Sequence, residues 1–337
     1  MAHENLFPAL QNFGHFAVIA FFVLSGYVIA FVTTARETNF QTYLSHRFAR
    51  IFSVMTGAWC ITVIADIAGF SMAPDVYSGL LATDMAVVRL FTHITFLHEA
   101  WFVSVQWYSN QPLWSLSYEF WYYLLFGAFV FLRGWLRTGL LVAGFLLVGP
   151  PILIYGLIWC AGVVLYRLHN HSRRRPVSTT LARVMFALSL VMACSIPYWK
   201  HYIDIPVTIH RKLDPSVLAT DFLFAIAVCT NILFFHYSNI SFCRIAAPIR
   251  FFAGFSFSLY VFHFPLILFY QALFEQWSIV SGTVQFLMIL LLVPVTVYGL
   301  SFITEKRKRL YLRFFTKLFA WLHGKVPTFG KSNQVAR

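Results

Sequence analysis

Charged side chains are scarce in this chain. Asp, Glu, Lys and Arg make up 11% of its 337 residues, against about 25% in an ordinary soluble domain. With 59% hydrophobic residues and a mean hydropathy of +0.71, that shortage excludes a secreted globular domain and a disordered tail. Acidic residues are the scarcest: 12 Asp and Glu stand against 25 Lys and Arg. In a soluble protein this excess would suggest nucleic acid. Here the lack of polar surface excludes such a module, and cytoplasmic loops of membrane proteins gather Lys and Arg. Cysteine is sparse too. Cys60, Cys160, Cys194, Cys229 and Cys243 form no CxxC pair, which argues against a disulfide framework or a metal site. Each reads as a small packing residue. No internal repeat and no separate soluble domain is visible. Residues 1–14 lack both the basic and the apolar region of a signal peptide.

What the chain does have is long apolar runs. Those able to cross roughly 30 Å of hydrocarbon fall at 16–34, 48–70, 114–132, 181–198, 217–236, 250–272 and 280–304. The run 138–166 is too long for one span, and Pro150-Pro151 divides it into a hairpin of two shorter helices. The segment 81–98 carries Asp84, Arg89, His93 and His98, too polar to face lipid. All Lys and Arg except Arg89, Lys200, Arg211 and Lys212 fall at 35–50, 133–137, 167–183, 244–250 or from Lys306 onward. If these groups share one side of the membrane, two crossings separate the first two, and 81–98 is a re-entrant or surface helix on the other side. The expectation is an all-α polytopic membrane bundle of nine crossings plus that helix, with the N-terminus outside and the C-terminus cytoplasmic. The membrane domain takes in 1–305. The tail 306–337 is basic, with Leu310, Phe314, Phe315, Leu318 and Trp321 at helical spacing, as in an interfacial helix on anionic lipid.

An ionisable group in lipid costs at least ~2.5 kcal/mol, so each is a functional candidate. These are Asp66, Glu119, Asp221, His263 and the membrane-edge pair Arg47 and Arg50. His236 stands near a span end and reads as snorkelling. Ser25, in FFVLSGY, is either a nucleophile or part of a small Ser-Gly patch for close helix contact. Arg47 and Arg50 are three apart, so both project from one helix face. They suit a diphosphate or simple positive-inside anchoring. Glu119 lies about a turn and a half into its span with Ser115 on its face; it orients a hydroxyl or a histidine, or makes a structural pair. Tyr260 and His263 share a face, and His263 alone reads as a core histidine. Pro265 should kink its helix and free a backbone carbonyl for a polar partner.

FFVLSGY, then RFARI, then PLWSLSYEFWYYL, then SFSLYVFHFPL, in that order, resemble the membrane acyltransferase-3 family over residues 3 to 305. The resemblance implies a bundle of about ten helices in a bacterial inner membrane. It implies an enzyme that transfers an acyl group, often acetyl, from cytoplasmic acyl-CoA to an extracytoplasmic hydroxyl. Acceptors of such enzymes include exopolysaccharide, lipopolysaccharide, lipid-linked sugars and small molecules. Residue by residue, the family's arginine motif falls on Arg47 and Arg50, which would hold the phosphates of coenzyme A. Its WSLxxE glutamate falls on Glu119 and its late histidine on His263. Its essential histidine, which follows an arginine by eleven residues, falls on His3. That arginine and the first helix would lie upstream of Met1, so the reading expects a start assigned too late. His15 is the lesser alternative, since it sits close to the next span.

The resemblance implies no bound cofactor; acyl-CoA, as acetyl-CoA, is the donor substrate, and membrane lipid and a carbohydrate acceptor are the other partners. His3, neutral near pH 7, would take the acceptor's proton. Glu119 would orient it or the sugar, and Tyr260 and His263 would line the thioester's passage or polarise its carbonyl. Direct transfer is expected. Two alternatives stand: a proton-coupled permease using Asp66, Glu119, Asp221 and His263 as a relay, and an inactive remnant. In the loop 199–216, Tyr198, Trp199, His201, Tyr202, Asp204 and Asp214 read either as a sugar site or as an interface belt.

Overall fold

The computed structural model describes residues 8–171, 177–199, 202–203, 205, 210–277 and 282–322. His3, His201 and Asp204 lie outside the described residues. Among the described residues the chain forms α-helices and no β-strand. The helices are α1 (Pro8–Arg36), α2 (Phe40–Met72), α3 (Ala86–Ile94), α4 (Trp114–Phe131), α5 (Gly134–Val148) and α6 (Pro150–His171), followed by α7 (Thr179–Trp199), α8 (Pro215–Tyr237), α9 (Ala246–Ala253), α10 (Ser256–Trp277), α11 (Gly282–Ser301) and α12 (Lys308–Leu322).

Seven stretches of the described residues are long and apolar enough to cross a membrane. They fall on α1, α2, α6, α7, α8, α10 and the run through α11 and α12. α5 is apolar but has only 15 residues, and α4 is diluted by its Trp, Tyr and Glu119. Each of the nine segments expected to cross is therefore helical, and the chain is a polytopic helical membrane bundle. α3, at 9 residues, is about 14 Å long and cannot cross.

Local chemistry sets the helix ends. Residues 37–39 alone join α1 to α2, where Asn39 is extended and accepts from the Thr42 amide at 2.9 Å. α2 thus begins eight residues before the run at 48. Its 33 residues make it about 50 Å long, and Arg47 and Arg50 stand within a helix. The run 138–166 breaks at Gly149, whose φ of +79° suits glycine. Pro150 and Pro151 then open α6, where their missing N–H costs no helical bond. α10 begins at Ser256, later than the run at 250, and the Glu305 carboxylate accepts from the Ser258 amide and Oγ at 3.3 and 3.0 Å.

α1 lies along α6, α7 along α8, α10 and α12 along α2, and α11 along α10. A Cβ on Gly26 would strike the Trp159 carbonyl, and one on Gly162 the Val23 carbonyl. The α1 and α6 backbones therefore touch through the small-residue patch beside Ser25. The connection 73–113 folds onto the far end of α2. Asp66 accepts there from the Ser109 amide and Oγ at 2.8 and 2.7 Å. In α12, Phe315 is buried against Phe48 and Phe52, at 5.5 and 5.3 Å between ring centroids, while Leu310, Phe314 and Trp321 face outward. The tail helix is thus docked on α2 as well as amphipathic. The cysteines correct the packing reading: Cys60, Cys160, Cys194 and Cys243 are exposed and Cys229 is half-buried.

Candidate functional site

Glu119 is fully buried. Its Oε1 accepts from the Tyr123 hydroxyl one turn further along α4, while its Oε2 has no hydrogen-bond partner among the described residues. Tyr123 Oη also lies 3.3 Å from Ser25 Oγ, which accepts from Trp159 Nε1 at 3.2 Å. α1, α4 and α6 thereby meet around one carboxylate. Positive charge reaches it from Arg50 and, second to it, from Arg47. A buried carboxylate oxygen without a donor is expensive, so this group is poised to accept a proton or a donor from a guest. The expected neighbour Ser115 points elsewhere: its Oγ lies 2.7 Å from Tyr260 Oη.

The two arginines part company. Arg47 is buried, donates from Nη2 to Glu37 Oε1 at 2.9 Å and lies over the Tyr43 ring. His46 Nδ1 is 3.1 Å from the same oxygen. Burial pushes the Glu37 carboxyl up, but the His46 hydrogen bond and the Arg47 charge outweigh it and hold the group below the ordinary 4.5. Arg50 lies over the Phe257 ring at 5.5 Å and faces the charges of Glu119 and Glu305. Arg50 is therefore the arginine directed into the bundle, and Arg47 already has an acid partner.

Tyr260 donates to the Pro112 carbonyl at 2.6 Å as well as meeting Ser115, which clamps α10 to the start of α4. His263 Nδ1 lies 2.7 Å from its own helix's Tyr260 carbonyl. Among the described residues no hydrogen bond joins any two of Asp66, Glu119, Asp221 and His263. Asp214 caps α8 through the Ser216 amide at 2.8 Å, and Trp199 and Tyr202 are exposed.

At the end of the bundle where α1 begins lies a pair with no local signal in the sequence. His15 Nε2 is 2.9 Å from both Oδ1 and Oδ2 of Asp221. Tyr155 donates to Asp221 Oδ2 at 2.7 Å, and the His15 ring stacks on Trp114 with 6.1 Å between centroids. α1 begins at Pro8 and its apolar span at Phe13, so His15 stands within that span.

Beside the bundle, His93 and His98 stack at 3.9 Å and both are buried. Burial, aided by the charges of His98 and Arg89 at His93 and of Lys212 at His98, pushes them down to about 2 and about 4. Lys212 pairs with Glu99 Oε2 at 2.5 Å and donates to the Val103 carbonyl, which ties the stretch before α8 to this layer. A groove lined by Leu24, Tyr27, Val28, His169, Ile232 and His236 contains none of the expected site residues.

A family profile described as an acyltransferase domain matches residues 2–305. Over 117 residues the chain is 32% identical to the protein described as Acyltransferase MdmB of Streptomyces mycarofaciens. That match covers 35% of this chain and 28% of that protein, so the chain spans little more than a quarter of the curated relative it matches. No solved structure matches the chain.

Proposed function

The chain belongs to the acyltransferase-3 family, and from that premise we propose that it is a membrane O-acyltransferase. It moves an acyl group, acetyl in the simplest case, from cytoplasmic acyl-CoA to a hydroxyl of an extracytoplasmic carbohydrate such as exopolysaccharide or lipopolysaccharide. The observation that carries this reading is Glu119, buried in the bundle with one oxygen unpartnered among the described residues and facing the charge of Arg50. In this reading Arg50 attracts the donor's phosphates, with Arg47 adding charge behind it. Glu119 orients a guest donor in the passage, while Tyr260 holds the wall where α10 meets α4. The basic tail and α12 lie on the donor side, in the cytoplasm of a bacterial cell with the bundle in its inner membrane.

The test is thiol release from acetyl-CoA by membranes carrying the chain, with radiolabelled acetyl followed into envelope carbohydrate. Donor-dependent release above empty membranes, slowed in Glu119→Gln, is the expected result. Equal release from both membrane preparations would overturn the reading.

A further inference from the structure

We propose that the groove between α1, α6 and α8 binds an anionic phospholipid of the leaflet in which α1 ends. Leu24, Tyr27 and Val28 of α1, His169 of α6, and Ile232 and His236 of α8 line it, and it encloses about 630 Å³, within the range of ligand clefts. Gly26 and Gly162 hold α1 and α6 in backbone contact, and α8 packs along both helices. The lining includes neither Glu119 nor Arg50, so the site goes beyond the acyltransferase reading and does not depend on it.

The groove is graded from apolar to polar along the helix axes. Leu24 and Val28 are 46% and 42% exposed within a helix long and apolar enough to span, so they open the groove to hydrocarbon. Ile232 stands one turn before His236 on α8. His169 and His236 lie in the last turns of α6 and α8, where a spanning helix meets the headgroups. Their rings approach to 4.0 Å at 61°, and Tyr27 Oη is 2.8 Å from His169 Nδ1. Arg183 of α7 is exposed and donates from Nε to the Ser238 carbonyl at 3.0 Å. That bond holds a permanent positive charge at the same end. A molecule with an acyl chain at one end and an anion at the other matches this order.

Charge selects the headgroup. The sequence has no Asp or Glu between Glu119 and Asp204, or between Asp221 and Glu275. α6, α7 and the half of α8 that lines the groove fall inside these two stretches. Near the end of α1 the acid is Glu37, already paired with Arg47 at 2.9 Å. A zwitterionic headgroup would bring an ammonium that meets no carboxylate on these helices. A phosphodiester with an uncharged glycerol head brings only the negative charge. Basic pockets between membrane helices take anionic headgroups for this reason, through charge-assisted bonds to the phosphate oxygens.

The test uses the full chain purified in detergent, freed of lipid, and titrated with phosphatidylglycerol or phosphatidylcholine while native mass spectrometry counts bound lipid. The unaltered chain should bind phosphatidylglycerol about tenfold more tightly than phosphatidylcholine. His236→Ala removes a headgroup donor, and Leu24→Trp fills the end meant for the acyl chain. Each should weaken phosphatidylglycerol binding about tenfold without moving the thermal unfolding midpoint. If the midpoint moves, Arg183→Gln at the exposed mouth serves instead, with the same expected loss. Inorganic phosphate should not displace the lipid, since it leaves the apolar wall unused. Replacing Lys308, Arg309 and Arg313 of α12 together by Gln should leave this binding unchanged. Equal affinity for the two lipids would overturn the proposal. So would unchanged binding in the groove variants, displacement by inorganic phosphate, or loss of binding in the α12 variant. No acyl donor enters the experiment, so its failure leaves the acyltransferase reading standing.

Discussion

Asn110 donates from Nδ2 to the Val261 carbonyl at 3.0 Å, the oxygen that Pro265 leaves without its helical partner four residues on. The same amide nitrogen reaches Thr62 Oγ1 at 2.9 Å. One side chain of the connection 73–113 therefore joins α2 to α10 at the proline. α10 runs through Pro265 without ending, because the carbonyl it orphans is supplied from outside the helix.

Asn110→Ala should destabilise the protein by about 1–3 kcal/mol, the cost of a buried carbonyl and a buried hydroxyl left unpaired. The combined Asn110→Ala, Pro265→Ala variant should regain part of that loss, since the helix can then satisfy Val261 itself. Thermal unfolding in detergent measures both. No recovery in the double variant would show that Asn110 acts only through Thr62.

These contacts mark how far the chain could be read. Helix periods and apolar runs reported the elements because burial in lipid demands them. Pro265 announced a free carbonyl because a missing N–H is a local fact, but its partner lies 151 residues away, beyond any spacing rule. Glu119 was expected to turn back to Ser115 and turns forward to Tyr123 instead. Both neighbours lie on the same helix face, and Tyr260 claims the serine. The Arg47 partner was legible, since Glu37 stands ten residues earlier. The basic group at 35–50 hides it, because only 37–39 is non-helical there. Asp221 and His15 each stood out singly, but their pairing across 206 residues is purely a product of helix packing.

The Glu37–Arg47 pair predicts a pH dependence. The folded Glu37 carboxyl lies below the ordinary 4.5, so its stabilising effect is complete above that value and is lost as pH falls through the lower folded one. Glu37→Gln should cost about 2 kcal/mol at pH 7 and should narrow the gap to the unaltered protein below pH 4. A gap that stays constant across that range would show that the pair is not the source.

His93 and His98 predict a slope of the same sign at higher pH. Their folded values, about 2 and about 4, lie below the ordinary 6.5, so the unfolded chain takes up protons first. Stability should fall as pH drops below 6.5, by about 1.4 kcal/mol per pH unit for each histidine. His98→Gln should flatten the slope between pH 6.5 and 4. An unchanged slope would remove His98 from the account.

The last prediction separates donor binding from chemistry at Glu119. If Arg50 holds donor phosphates, Glu119 competes with them for the guanidinium charge. Glu119→Gln removes the competing charge and should lower the KM for acetyl-CoA even as kcat falls. Arg50→Ala should raise that KM roughly tenfold or more, as expected for losing about 1.4 kcal/mol of charge-assisted contact. Arg47→Ala should raise it less, because Arg47 is already engaged by Glu37 at 2.9 Å. Steady-state kinetics on the three variants decides the matter. Equal KM effects from Arg47 and Arg50 would mean that the ion pair opens when the donor arrives. An unchanged KM in Arg50→Ala would move the phosphates away from α2 altogether.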